Sequence, residues 1–69
     1  MSNLSYDVLT VLHNKLEAVS IYDRYIQDSQ QAGDEKCRSL FEDIKREDDR
    51  HIERLRGELE RLVKEGKFR

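Results

Sequence analysis

The sequence predicts an all-α fold, an antiparallel two-helix hairpin that dimerises into a four-helix bundle. Apolar residues recur with a helical period through most of the 69-residue chain. The chain has no proline and only three glycines, so little interrupts long helices. A chain of this length rarely buries enough apolar surface to be stable without a disulfide, a metal or a partner. We therefore expect a single domain, residues 1–69, that forms a homodimer or a higher homo-oligomer.

The first helix is predicted over residues 6–30. Ser5 is a suitable N-cap, and Asp7 places a negative charge at the positive end of the helix. The centre of the apolar stripe consists of Val8, Leu12, Val19, Tyr22 and Ile26. These positions predict one broad face that packs against a neighbouring helix.

The turn is predicted at residues 31–34. Gly33 can adopt the left-handed conformation that ends many helices, and Asp34 can cap the helix that follows. A connection this short places the two helices side by side and antiparallel.

The second helix is predicted over residues 35–65. Its apolar stripe consists of Cys37, Leu40, Phe41, Ile44, Leu55, Leu59 and Leu62. We interpret Cys37 as a small core residue. Arg61 and Lys64 place positive charge at the negative end of the helix.

Composition argues against several classes of function. Charged residues make up 41% of the chain but the net charge is −2, so the positive charge does not form the basic field that nucleic acid requires. A single cysteine cannot form an intramolecular disulfide. No apolar run has the length of a membrane span, and the N-terminus does not resemble a secretory signal. We expect a cytoplasmic protein that binds neither nucleic acid nor membrane.

Polar residues interrupt both apolar stripes. Asp48 and His51 fall at the centre of the apolar face of the second helix, and Lys15 falls in the middle of the first stripe, beside Tyr22. Lys15 is about as far from the turn along one helix as Asp48 and His51 are along the other. The sequence therefore predicts a polar layer across the core, and a buried carboxylate there must be paired, hydrogen-bonded or bound to metal.

The spacing of these residues resembles the half-sites of the ferritin-like superfamily, in particular its two-helix members related to encapsulated ferritins and rubrerythrin-like domains. Those half-sites look like E-x-x-A-x-x-x-Y and E-x-x-H. This chain has Lys15-x-x-Ala18-x-x-x-Tyr22 and Asp48-x-x-His51, and the resemblance covers roughly residues 8–62. It implies iron, or manganese or zinc, between four helices, with ferroxidase-type activity as a family expectation.

The first half-site departs from the family pattern in the charge of its leading residue. Lys15 stands where the family has a glutamate ligand, and an ammonium cannot coordinate a metal. Asp48 and His51 of two chains remain as candidate metal ligands, and Glu17 is a candidate carboxylate if the alignment shifts by two residues.

Three interpretations of function follow. The first is an iron-binding or other metal-binding protein with a site at the dimer interface. The second is a metal-free protein of structural or interaction type, in which Lys15 neutralises Asp48 and His51 completes a buried hydrogen-bonded layer. The third is an enzyme that uses Lys15 as a base or nucleophile beside Asp48 and Tyr22. The sequence identifies no protein partner.

Overall fold

The protein is a single antiparallel helical hairpin in the computed structural model, which describes residues 2–68. Helix α1 spans Asn3–Ala32 and helix α2 spans Glu35–Lys64, each with 30 residues. No strand occurs within the described residues. The hairpin is a rod with extents of 50 × 15 × 11 Å. The predicted all-helical hairpin is confirmed, and α1 begins three residues earlier than predicted.

The extra turn of α1 has a different cap from the one predicted. The Ser2 side chain accepts a hydrogen bond from the Ser5 backbone N–H at 3.1 Å, so Ser2 is the N-cap. The prediction of Ser5 as N-cap is wrong, and Asp7 lies beyond the first turn. The physical reason is a contact that the local sequence does not reveal: the Ser2 N–H donates to the Phe68 carbonyl at 3.3 Å, which holds this turn against the end of α2.

The turn is shorter than the predicted residues 31–34, because α1 continues through Ala32 and only Gly33 and Asp34 lie between the helices. Gly33 has φ 69° and ψ 23°, a left-handed conformation that a residue with a Cβ adopts only at a cost. The Asp34 N–H donates to the Ser29 carbonyl at 2.9 Å. The Asp34 carboxylate accepts from the Cys37 N–H at 3.0 Å and caps α2. The predicted roles of Gly33 and Asp34 are therefore confirmed.

The open end of the hairpin is closed by serine hydroxyls. Ser5 is fully buried, and its hydroxyl accepts from the Ser2 hydroxyl at 2.9 Å and donates to the Lys67 carbonyl at 3.3 Å. Gly66 has φ 70°, which turns the chain after α2 so that the Lys67 carbonyl meets α1. Hydrogen bonds thus fix both ends of the rod: local ones at the turn, and bonds between the start of α1 and the segment after α2 at the open end.

The hairpin buries little apolar surface. Among the described residues, only Leu12, Ile52 and Leu62 are buried apolar residues. Leu40 is 53% exposed, and Cys37, which we interpreted as a core residue, is also exposed. Within the single hairpin Cys37 is not a core residue, because each helix has only one neighbour and the flanks of each stripe remain in solvent. Neither helix, over the residues described, has the length and apolar character needed to cross a membrane.

Candidate functional site

A polar layer crosses the middle of the rod. Lys15 lies near the midpoint of α1 and Asp48 near the midpoint of α2. Because the helices have equal length and share one short turn, these midpoints lie at the same level. The predicted juxtaposition of Lys15 and Asp48 is confirmed.

Asp48 is the centre of this layer. Its side chain is 9% exposed, and the Lys15 ammonium donates to Oδ1 at 2.9 Å. The Tyr22 hydroxyl donates to Oδ2 at 3.0 Å. Across residues 2–68, no buried side-chain nitrogen or oxygen lacks a hydrogen-bond partner. The carboxylate therefore has one strong donor from α1 for each of its oxygens.

Electrostatics keep this carboxylate charged. The hydrogen bond from Lys15 lowers the pKa of Asp48 below its ordinary value, against the opposing effect of burial. Burial raises the pKa of Tyr22, and the hydrogen bond to Asp48 raises it further. At neutral pH Asp48 is therefore an ionised carboxylate and Tyr22 a neutral phenol.

His51 lies at the edge of the layer. Its side chain is 47% exposed, and its Nδ1 atom is 3.7 Å from Asp48 Oδ1, beyond hydrogen-bond distance. The expectation that His51 completes a buried hydrogen-bonded layer is wrong for the hairpin. The physical reason is that the three-residue spacing from Asp48 rotates His51 onto the flank of α2, where no second helix covers it.

Glu17 lies away from the layer. Its carboxylate is 3.1 Å from His13 Nε2, and both side chains are about 70% exposed. This matches a solvated pair one helical turn apart. The structure brings Lys15, Tyr22, Asp48 and His51 to one level, and it does not bring Glu17 to them.

The donor set of one hairpin does not fit a di-metal centre. No group of three or more histidine, cysteine, aspartate or glutamate side chains with the arrangement of a metal site occurs within residues 2–68. Both Asp48 oxygens accept hydrogen bonds, and the Lys15 ammonium occupies the position beside Oδ1 that a cation would need. Metal ligation by Asp48 requires the displacement of Lys15 and further donors from a second chain.

Two features of the hairpin were not predicted. One is the serine closure of the open end, although Ser5 lies seven residues before Leu12 and so continues the buried stripe. The other is an exposed ion pair between helices, in which the Lys45 ammonium donates to Asp23 at 2.7 Å. Charged residues are frequent in this chain, and spacing alone does not show which of them meet across the hairpin.

Comparisons with models of protein families, with curated proteins and with solved structures found no match to this chain. The likeness to ferritin-like proteins therefore rests on the spacing of its own residues.

Proposed function

We propose that this chain is a metal-free protein of structural or interaction type that resembles a two-helix ferritin-like half-bundle and self-associates into a four-helix bundle. One observation carries the proposal: both oxygens of buried Asp48 are bound by Lys15 and Tyr22 of the same chain. A carboxylate held in this way serves the packing of the helices. The lysine replaces the charge that a metal would supply in the ferritin-like arrangement.

The layer favours one register of the two helices. A slide by one helical turn, about 5.4 Å, would break both hydrogen bonds to Asp48. It would leave an ionised carboxylate buried without a partner, at a cost of several kcal/mol. Apolar contacts distinguish less well between neighbouring registers, because after a slide one leucine can occupy the position of another with a similar packing energy. Specificity of packing is therefore the role that the layer supports.

The exposed surface supports self-association. The hairpin exposes 5327 Å², whereas a compact monomer of its mass exposes about 4,600 Å². The difference of about 700 Å² is close to the roughly 800 Å² that each partner buries in an interface of standard size. The large apolar side chains that are more than one third exposed are Leu4, Tyr6, Val11, Leu16, Ile21, Tyr25, Leu40 and Val63.

The test combines sedimentation equilibrium with elemental analysis. Untagged protein, purified without chelator, is mixed with ferrous iron under anaerobic conditions and desalted. We expect a dimer that retains no stoichiometric metal. A monomer at every accessible concentration, or a dimer that retains metal through His51, would contradict the proposal.

A second candidate is a metal site between two hairpins, and the exposure of His51 favours it. Within residues 2–68 the His51 imidazole makes no hydrogen bond. It lies beside Asp48 on a flank of α2 that no other helix covers. Two copies could supply two Asp48 and two His51 side chains to iron, manganese or zinc. If this site forms, we expect the desalted protein to retain about one or two metal ions per dimer. His51→Ala would abolish uptake, and Lys15→Glu would increase it by restoring a carboxylate.

A further inference from the structure

Two grooves open on the same face of the hairpin. The larger, with a volume of about 750 Å³, is lined in part by Val11, Lys15, His51 and Leu55. The smaller, about 300 Å³, is lined in part by Tyr25, Ser29, Cys37 and Phe41. Each residue of the second set lies two heptads from a residue of the first, so both grooves share one side of the rod. We call this side the grooved face, and Lys15 and His51 of the polar layer line its larger groove.

The opposite face has a different character. It carries a cleft lined by Asp23, Ile26, Glu42, Lys45, Arg46 and Asp49. The ion pair between Lys45 and Asp23 spans the two helices there, with the Asp23 side chain 71% exposed. Charged groups that already pair in solvent gain little from being covered by a partner. The grooved face is therefore the better surface for association.

We propose that a second copy of this chain covers the grooved face in an antiparallel arrangement, with the two turns at opposite ends and a two-fold axis through the polar layer. This inference rests on the self-association proposed above and specifies its geometry. The axis passes near Ala18 of α1 and between Arg50 and His51 of α2. Each helix then lies beside its own copy from the partner subunit.

Shape complementarity favours the antiparallel arrangement. Near the turn the Tyr25 and Phe41 rings pack together, with centroids 5.6 Å apart. Near the open end the larger groove is bordered by Gly57, where a Cβ would meet no atom within 4 Å. An antiparallel partner places its aromatic end over this wide groove. A parallel partner would stack aromatic side chains on each other and leave two wide grooves face to face, which close packing disfavours.

The heptad pattern of α1 agrees with the same axis. Leu4, Val11, Ala18 and Tyr25 follow one another at seven-residue intervals. About an axis near Ala18, Val11 lies opposite Tyr25 of the partner subunit. The small Ala18 side chain meets its own copy, where the helices can approach closely.

Charge complementarity on α2 supports the same arrangement. Arg54 borders the larger groove, and Glu47 lies one heptad before it on the same stripe. Neither side chain has an ion-pair partner within residues 2–68. Because the proposed axis lies midway between them, Glu47 faces Arg54 of the partner subunit, and the pair occurs twice per dimer.

Two sets of variants test the face and the orientation by sedimentation equilibrium. For the face, Val11→Glu is compared with Val63→Glu; Val63 is 60% exposed and lies five helical turns from Lys45, on the opposite face. For the orientation, Glu47→Arg and Arg54→Glu are measured singly and together. Glu60→Arg, the same charge change at an exposed position of α2, is the control.

We expect Val11→Glu to weaken dimerisation by about a hundredfold and Val63→Glu to leave it within about threefold. Each single charge reversal should weaken the dimer by about tenfold, because it opposes like charges twice. The double reversal should restore the affinity to within about threefold, and Glu60→Arg should change little.

The outcomes separate this inference from the proposed function. A wild-type dimer with equal sensitivity to Val11→Glu and Val63→Glu would overturn the grooved face and leave self-association standing. If Val11→Glu weakens the dimer but the double charge reversal does not restore the affinity that the single reversals lose, the antiparallel arrangement is overturned and the grooved face stands. A wild-type monomer would overturn both proposals.

Discussion

Two lysine–aspartate pairs join the helices, and they differ in the burial of the carboxylate. Lys15 and Lys45 have side chains that are each 32% exposed, whereas Asp48 is 9% exposed and Asp23 is 71% exposed. Lys15→Met leaves Asp48 ionised and buried, so we expect the free energy of unfolding to fall by about 2–3 kcal/mol. Lys45→Met should cost about 0.5 kcal/mol or less. Urea denaturation at equal protein concentration measures both.

Equal losses in the two variants would contradict a special role for the layer. They would mean that water replaces Lys15 at Asp48 as readily as it replaces Lys45 at Asp23. Tyr22→Phe offers an independent check, because it removes the hydroxyl that donates to Asp48 Oδ2 and keeps the ring. We expect it to cost about 1–2 kcal/mol.

Acid should weaken the hairpin through Asp48. Its folded-state pKa is below the ordinary value of 3.8, with the hydrogen bond from Lys15 as the largest cause. A depressed pKa contributes stability that is fully present above the unfolded-state pKa and is lost as the pH falls through the folded-state pKa. The free energy of unfolding should therefore decrease from about pH 5 downward.

Asp48→Asn is the matched variant for this prediction, since it keeps the shape of the side chain and removes the titration. Its stability relative to wild type should improve steadily as the pH falls from about 5 to 2. Tyr22 stays neutral throughout that interval, because burial and the hydrogen bond to Asp48 raise its pKa above the ordinary value. A constant difference between the two proteins would contradict the assignment to Asp48.

At the scale of elements, the hairpin depends on the left-handed residue between its helices. Gly33 has φ 69°, and a Cβ placed there would meet no atom within 4 Å. The cost of Gly33→Ala is therefore conformational, and we expect a loss of about 1 kcal/mol. Gly33→Asn should lose less, because asparagine tolerates this conformation. Thermal unfolding of both variants measures the difference, and equal stability of Gly33→Ala and wild type would contradict it.

At the scale of the whole molecule, stability should depend on protein concentration. The isolated hairpin buries only three apolar residues among those described, which is a small core for a rod 50 Å long. If the folded state is a dimer, the thermal midpoint rises with concentration because association binds only folded chains. We expect an increase of several degrees over a hundredfold range of concentration. A constant midpoint would indicate a monomer.

Part of the candidate site could be predicted because the helical period of the apolar residues indicates which side of each helix is apolar. Lys15 and Asp48 break that pattern near equal distances from the turn, and they do meet. His51 and Cys37 satisfy the same pattern but are exposed in the hairpin. Period alone does not distinguish the centre of a stripe from its flank when only one helix packs against it.

The sequence by itself determined the two long helices, the turn at Gly33, the Asp34 cap and the meeting of Lys15 with Asp48. These depend on backbone preference, on spacing along the chain and on the equal rise of two helices from one turn. Only the tertiary structure decided that Tyr22 is the second donor to Asp48, that His51 remains on the flank, and that Ser2 rather than Ser5 begins α1. Those outcomes depend on which side chains meet across the hairpin and which stay on an uncovered flank, and only the packing of the two helices sets both.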